Sequence, residues 1–136
     1  MVRFVECDPP ASDEEIDDLE QRVALRFPAA LRRLFREANG GRPEPYIYGD
    51  TDVSECLALR SGKGSAEWTY DLLVASKQLV PRHFFRFAVD SGGNTFLVDC
   101  SSDQGMVFLW VHDTADERLL PLDVSLEEFW SCLTER

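Results

Sequence analysis

The feature that most constrains this chain is a set of three strand-like segments between Phe84 and His112. Phe84 to Val89, Thr95 to Cys100 and Met106 to His112 are rich in aromatic and β-branched side chains. Asp90-Ser91-Gly92-Gly93-Asn94 joins the first two, and Ser101 to Gly105 joins the next two. Connectors this short favour an antiparallel meander. In the third segment Val107, Leu109 and Val111 alternate with Phe108, Trp110 and His112. Both sets are largely apolar, so part of each sheet face is expected to be covered. Glu55 to Leu59 reads as a further short strand, and Leu119 to Leu122 as an edge strand.

Helices are expected on either side of this sheet. Ser12 followed by Glu15 is a capping box, in which hydroxyl and carboxylate satisfy each other's backbone donors. Ile16, Leu19 and Val23 then share one helical face, while Asp13, Glu14, Asp17 and Asp18 crowd the first turns, where acids suit the helix dipole. A second helix begins near Pro28, with Leu31, Leu34, Phe35 and Ala38 as its apolar stripe and Arg32, Arg33 and Arg36 pointing elsewhere. Asn39-Gly40-Gly41 stops it, because glycine tolerates the left-handed backbone of a helix end. Ser125 and Glu128 form a second capping box, opening a C-terminal helix with Leu126, Phe129, Trp130 and Leu133 as its stripe. Residues 42–54 read as a loop, Ser61 to Ser65 as a flexible break, and Ala66 to Ser76 as a weak helix carrying Trp68. The expected fold class is therefore α+β, an antiparallel sheet flanked by helices, with residues 1–136 forming one domain.

Composition narrows the function. The chain is 44% hydrophobic, enough for a real core, and its formal charge of −11 repels nucleic acid and anionic membranes. Basic proteins are the natural partners of such a surface. Cys7, Cys56, Cys100 and Cys132 show neither a disulfide framework nor a zinc-ligand pair, and Cys100 and Cys132 are expected to be buried thiols. With no apolar signal core after Met1 and no run of membrane-spanning length, a cytoplasmic setting is expected.

The inventory for catalysis is thin, and no enzymatic activity is expected. His83 opens a strand, and His112 stands beside Asp113, but neighbouring strand residues point to opposite faces. There is no G-x-S-x-G elbow, and Gly62-Lys63 lacks the P-loop's other positions. Asp90 to Asn94 lacks the spaced ligands of a calcium loop, and neither metal nor cofactor is called for. Two surface features remain. One is the acidic helix face that includes Asp13 and Asp17. The other is the loop with Tyr46, Tyr48, Asp50 and Asp52, where tyrosine beside carboxylate suits protein recognition. Trp68 is a further candidate anchor.

The order of these motifs resembles that of SUKH-superfamily domains, the relatives of the fungal Smi/Knr cell-wall regulators. Ser12-Asp13-Glu14-Glu15-Ile16 with Leu19-Glu20, then Phe27-Pro28-Ala29-Ala30-Leu31, then Asn39-Gly40-Gly41 is similar to the family's opening, with Phe27 in place of the usual leucine. Phe87 to Asn94 with Phe96 to Asp99 resembles its central hairpin, Val107 to Asp113 its next strand, and Ser125 to Phe129 its closing helix. Residues 42–80 match least. The resemblance implies an α+β fold of helices packed on an antiparallel sheet. In bacteria it implies an immunity protein that occludes the active cleft of a secreted polymorphic toxin, often a nuclease or deaminase, and it brings no catalytic residues. The alternative within the same family is a regulatory or scaffold module. The partner is expected to be a basic protein toxin, with no nucleic acid or membrane involved, and the chain itself a monomer or weak homodimer.

Overall fold

A five-stranded antiparallel sheet forms around the three central segments. In this computed structural model the residues described are 2–59, 80–111 and 118–135. Strands β6 (Phe84–Val89), β7 (Thr95–Asp99) and β8 (Met106–Val111) follow one another as the meander the short connectors favour. Strand β5 (Glu55–Cys56) flanks β6, and β9 (Arg118–Ser125) flanks β8, so the sheet runs in sequence order. Two shorter antiparallel pairs stand beside it. Strand β1 (Arg3–Val5) pairs with β2 (Arg42–Glu44), and β3 (Ile47–Tyr48) with β4 (Thr51–Asp52). The expected loop over residues 42–54 is thus replaced by three short strands: β1 supplies the partner of β2, and β3 and β4 pair with each other, with Ile47 backed by the C-terminal segment. Ile47 and Thr134 exchange hydrogen bonds of 3.0 and 2.8 Å. The Glu44–Pro45 peptide is cis.

Helix α1 (Asp13–Val23) starts at the Ser12–Glu15 capping box, and both reciprocal bonds are made. Helix α2 (Ala29–Ala38) starts after Pro28 and ends at Asn39. Gly40 then takes a φ of +75°, and a Cβ there would meet the Ala58 Cβ at 3.0 Å, so both backbone angle and space require glycine. The Asn39 side chain donates to the Pro9 carbonyl and accepts from Leu59 N–H, tying the N-terminal segment to the sheet side. The second capping box opens α3 (Leu126–Phe129), which tightens at once into a 3₁₀ turn over Trp130–Cys132.

One face of the sheet receives the helices. Phe85, Val98 and Val107 are cross-strand neighbours on it, as are Ala88, Phe96 and Leu109. A bulge in β6 skips Phe87 in the pairing with β7, which lets Phe85, Phe87 and Ala88 all be fully buried. Phe27 of the α1–α2 link lies 4.8 Å from Phe85, and Phe129 lies 5.3 Å from Phe96. Ile16, Leu19, Leu31 and Phe35 complete the packing. Each of these large side chains stabilises the fold by about 1.5–3 kcal/mol through burial. On the opposite face Arg86, Leu97 and Phe108 are neighbours across the strands, and Leu97 is only 1% exposed. That face is therefore covered at its centre, as its apolar alternation predicts.

Cys100 is buried, but Cys132 is exposed, against expectation. The 3₁₀ turn has three residues per turn, and it carries Cys132 off the apolar stripe that holds Leu126 and Phe129. Burial raises the Cys56 thiol pKa, with Cys7 and Glu55 adding to the shift, and raises that of Cys100 to about 12, with Asp99 and Glu20 adding. Both buried thiols are therefore protonated and unreactive at neutral pH. The Ser61–Ser65 break, the Ala66–Ser76 helix with Trp68, and His112 with Asp113 lie outside the described residues.

Candidate functional site

The segment from Arg42 to Asp52 is held against the sheet by carboxylates. Asp90 follows β6 and is buried, and its carboxylate accepts four hydrogen bonds. They come from Thr51 Oγ1 at 2.8 Å, Gly92 N–H at 3.0 Å, Asn94 N–H at 2.7 Å and the Asn94 amide at 3.0 Å. The local bonds shape the β6–β7 turn, and the bond to Thr51 fixes β4 to it. Asp52 reinforces the junction by accepting from both the N–H and the hydroxyl of Ser91, at 3.0 and 2.9 Å. In the sequence Asp90 to Asn94 is marked only as a turn. No local pattern announces that Asp90 reaches Thr51, so its second role was missed.

This scaffold separates the two tyrosines. Tyr48 is half-buried, stacked on Phe129 at 5.1 Å and edge-on to Phe96 at 6.3 Å. Burial raises its hydroxyl pKa, and the neighbouring Cys132 and Asp123 add to the effect. Tyr46 lies outward, 47% exposed, the only large hydrophobic side chain among the described residues to be so exposed. It borders three adjoining depressions. The first is lined also by Arg42, Glu44 and Asp52, the second by Asp50, Asp52 and Asp90, and the third by Arg3, Glu44 and Glu135. Arg3 is paired with Glu44 at 2.9 Å and Arg42 with Glu6 at 3.0 Å. Asp50, Asp52 and Glu135 have no ion pair among the described residues.

The acids of α1 stand elsewhere, and no residue of α1 lines these depressions. Asp17 pairs with Arg32 at 3.0 Å, and Asp13 lies 3.6 Å from Arg32 and 3.4 Å from Arg36. Glu20 accepts from Arg32 at 2.8 Å and from Phe27 N–H at 2.6 Å, which holds the turn between the helices. Of the three arginines read as pointing away from the core, Arg32 and Arg36 point at α1, whereas Arg33 lies 3.7 Å from Glu127 of α3. The structure brings Tyr46, Asp50 and Asp52 together, turns Tyr48 inward, and leaves Asp13 and Asp17 on a separate, internally paired face.

Among the described residues catalytic alternatives find little geometry. His83 Nε2 is 3.9 Å from Asp99 Oδ1 on a half-exposed surface, and its ring lies 4.4 Å from that of Phe84. Among the described residues no three His, Cys, Asp or Glu side chains are placed to hold a metal ion. No helix among them is long and apolar enough to cross a membrane. A search of the curated proteins found no match. The family model described as SMI1 / KNR4 family (SUKH-1) matches the chain over residues 10–132.

Proposed function

Because the chain belongs to the SMI1/KNR4 (SUKH-1) family, we propose that it is an immunity-type protein that binds a cognate secreted toxin and neutralises it by covering the toxin's active cleft. The family match over residues 10–132 carries this reading. The formal charge of −11 supports it, because a toxin that acts on nucleic acid or its bases has a basic cleft, and carboxylates compete there with phosphates. The reading makes residues 1–136 one SUKH-type domain, and a continuous hydrophobic cluster reaching from Ala11 to Leu133 supports that unity. It assigns the protein a cytoplasmic place, a binding role without catalysis, and no cofactor. Two acidic surfaces compete for that role, the one around Tyr46, Asp50 and Asp52 and the one formed by the acids of α1.

Co-expression with the protein encoded beside its gene tests the proposal. The neighbour alone is expected to arrest growth of the host, and this chain to restore it by forming a complex that survives gel filtration. A neighbour that is harmless, or a toxic one that this chain neither binds nor blocks, would overturn the immunity reading in favour of a regulatory module of the Smi/Knr kind.

A further inference from the structure

Two acidic surfaces are available, and they differ in how much of their charge is already spent. On α1, Asp13 and Asp17 face Arg32 and Arg36 within 3.6 Å, and Glu20 takes a further bond from Arg32. A cation arriving at Asp13, Asp17 or Glu20 has to displace arginines that belong to the same fold, whereas Glu14 and Asp18 of the same helix are exposed and make no ion pair among the described residues. Around Tyr46 the two arginines are paired with Glu44 and Glu6, whereas Asp50, Asp52 and Glu135 make no ion pair among the described residues, although Asp52 shares a depression with Arg42 and Glu135 one with Arg3.

The Tyr46 surface also carries the apolar anchor that the α1 face lacks. Interfaces concentrate their binding energy on a few aromatic side chains that become desolvated at the centre of contact. Among the described residues Tyr46 is the exposed aromatic, and three depressions surround it. Its backbone is fixed on both sides. Val53 N–H donates to the Tyr46 carbonyl at 2.7 Å, and Ile47 exchanges two bonds with Thr134. Asp90 and Asp52 pin the following strand to the β6–β7 turn. A ring presented on fixed backbone loses little conformational entropy on binding. Its face can also stack against a guanidinium or ammonium group.

Building on the binding role argued above, we propose that the Tyr46 surface, and not the acidic face of α1, is where this protein grips its partner. The partner enters with a basic loop whose arginine or lysine side chains meet Asp50, Asp52 and Glu135 while an apolar stretch of the loop covers the Tyr46 ring. Charge complementarity names the occupant: a protein loop supplies both the cation and the apolar contact, whereas a free cation supplies only the first.

The test measures affinity for the protein encoded beside the gene, as an inactive variant if it is toxic. Tyr46→Ala is expected to weaken binding about 30-fold, as loss of a central aromatic anchor does. Asp50→Lys, at an exposed position, is expected to slow association at least about tenfold at low salt, with the difference shrinking as salt is raised. The double change Asp13→Asn with Asp17→Asn is expected to alter affinity less than about threefold. Unchanged far-UV spectra and melting curves establish that the Tyr46 and Asp50 variants are folded. If the wild-type chain binds and both of those variants bind equally well, or if the α1 variant carries the loss, the surface assignment is wrong while the binding role stands. If the wild-type chain does not bind, both fall.

Discussion

Replacing Arg86 by methionine is expected to make this protein more stable. Arg86 lies in the middle of β6, level with Leu97 and Phe108 on the next two strands. Its Nε is buried without a hydrogen-bond partner, and it has no ion pair among the described residues. Burial pulls its pKa from 12.5 down to about 10. At about 1.4 kcal/mol for each tenfold change in proton affinity, holding the charge in the folded protein costs about 3 kcal/mol. Methionine keeps an unbranched apolar stem of similar length and removes the charge and the orphaned donor. Two effects oppose the gain. The guanidinium adds apolar contacts of its own, and removing a cation takes the formal charge from −11 to −11 − 1 = −12. Salt at about 0.15 M screens the second effect beyond about 8 Å. The net expectation is a gain of about 1–2 kcal/mol, or about 3–6 °C in Tm for a chain of this size. The cation has a folded pKa below its unfolded one, so its penalty is present at every pH below the folded value. It is relieved only as pH rises through the folded value, so the gain should be constant between about pH 5 and about pH 9. Urea unfolding followed by circular dichroism, at two salt concentrations, measures it. A loss of more than about 1 kcal/mol would refute the reasoning, because it would mean that the arginine is worth more to the fold than its buried charge costs.

Two further perturbations probe the loop scaffold and the C-terminal cap. Asp90→Ala leaves four donors without their acceptor and is expected to cost about 2–4 kcal/mol, with faster amide exchange at Gly92 and Asn94; a cost under about 0.5 kcal/mol would contradict the clamp described for it. Hydrogen bonds from the Ser125 backbone and then its hydroxyl hold the Glu128 carboxyl below its ordinary pKa. Its contribution is therefore complete above the ordinary carboxylate range and lost as pH falls through the folded value. The stability gap between wild type and Glu128→Gln should close on acidification from about pH 6 to about pH 3 in paired melting curves, and a gap independent of pH would refute it.

What could be read from the sequence follows how local each determinant is. Both capping boxes and the Asn39-Gly40-Gly41 stop are signals spanning a few residues, and they appear where they were read. The β6–β7–β8 meander is nearly as local, since short turns join its strands. The failures depend on partners far along the chain. Strand β2 forms only because β1 lies beside it, and Thr134 backs β3, although β3 and β4 also pair with each other across a two-residue turn. Tyr46 and Tyr48 look equivalent in the sequence, and only the position of Phe129 decides that Tyr48 packs inward. A helical wheel shows that Arg32 and Arg36 leave the core stripe, but not that α1 runs alongside to receive them. Cys132 was misplaced because a capping box marks where a helix starts and says nothing of how soon it tightens into a 3₁₀ turn.

The outer strand β9 has a consequence for life at high concentration. It carries Pro121, which has no N–H to offer, and Asp123 at a φ of +60° where the pairing with β8 slips out of register. At the other flank β5 offers only two residues. Neither side of the sheet presents a long, flat row of donors and acceptors on which a second chain could template itself. An accumulating pool of this protein is therefore guarded against zipping edge to edge into ribbons.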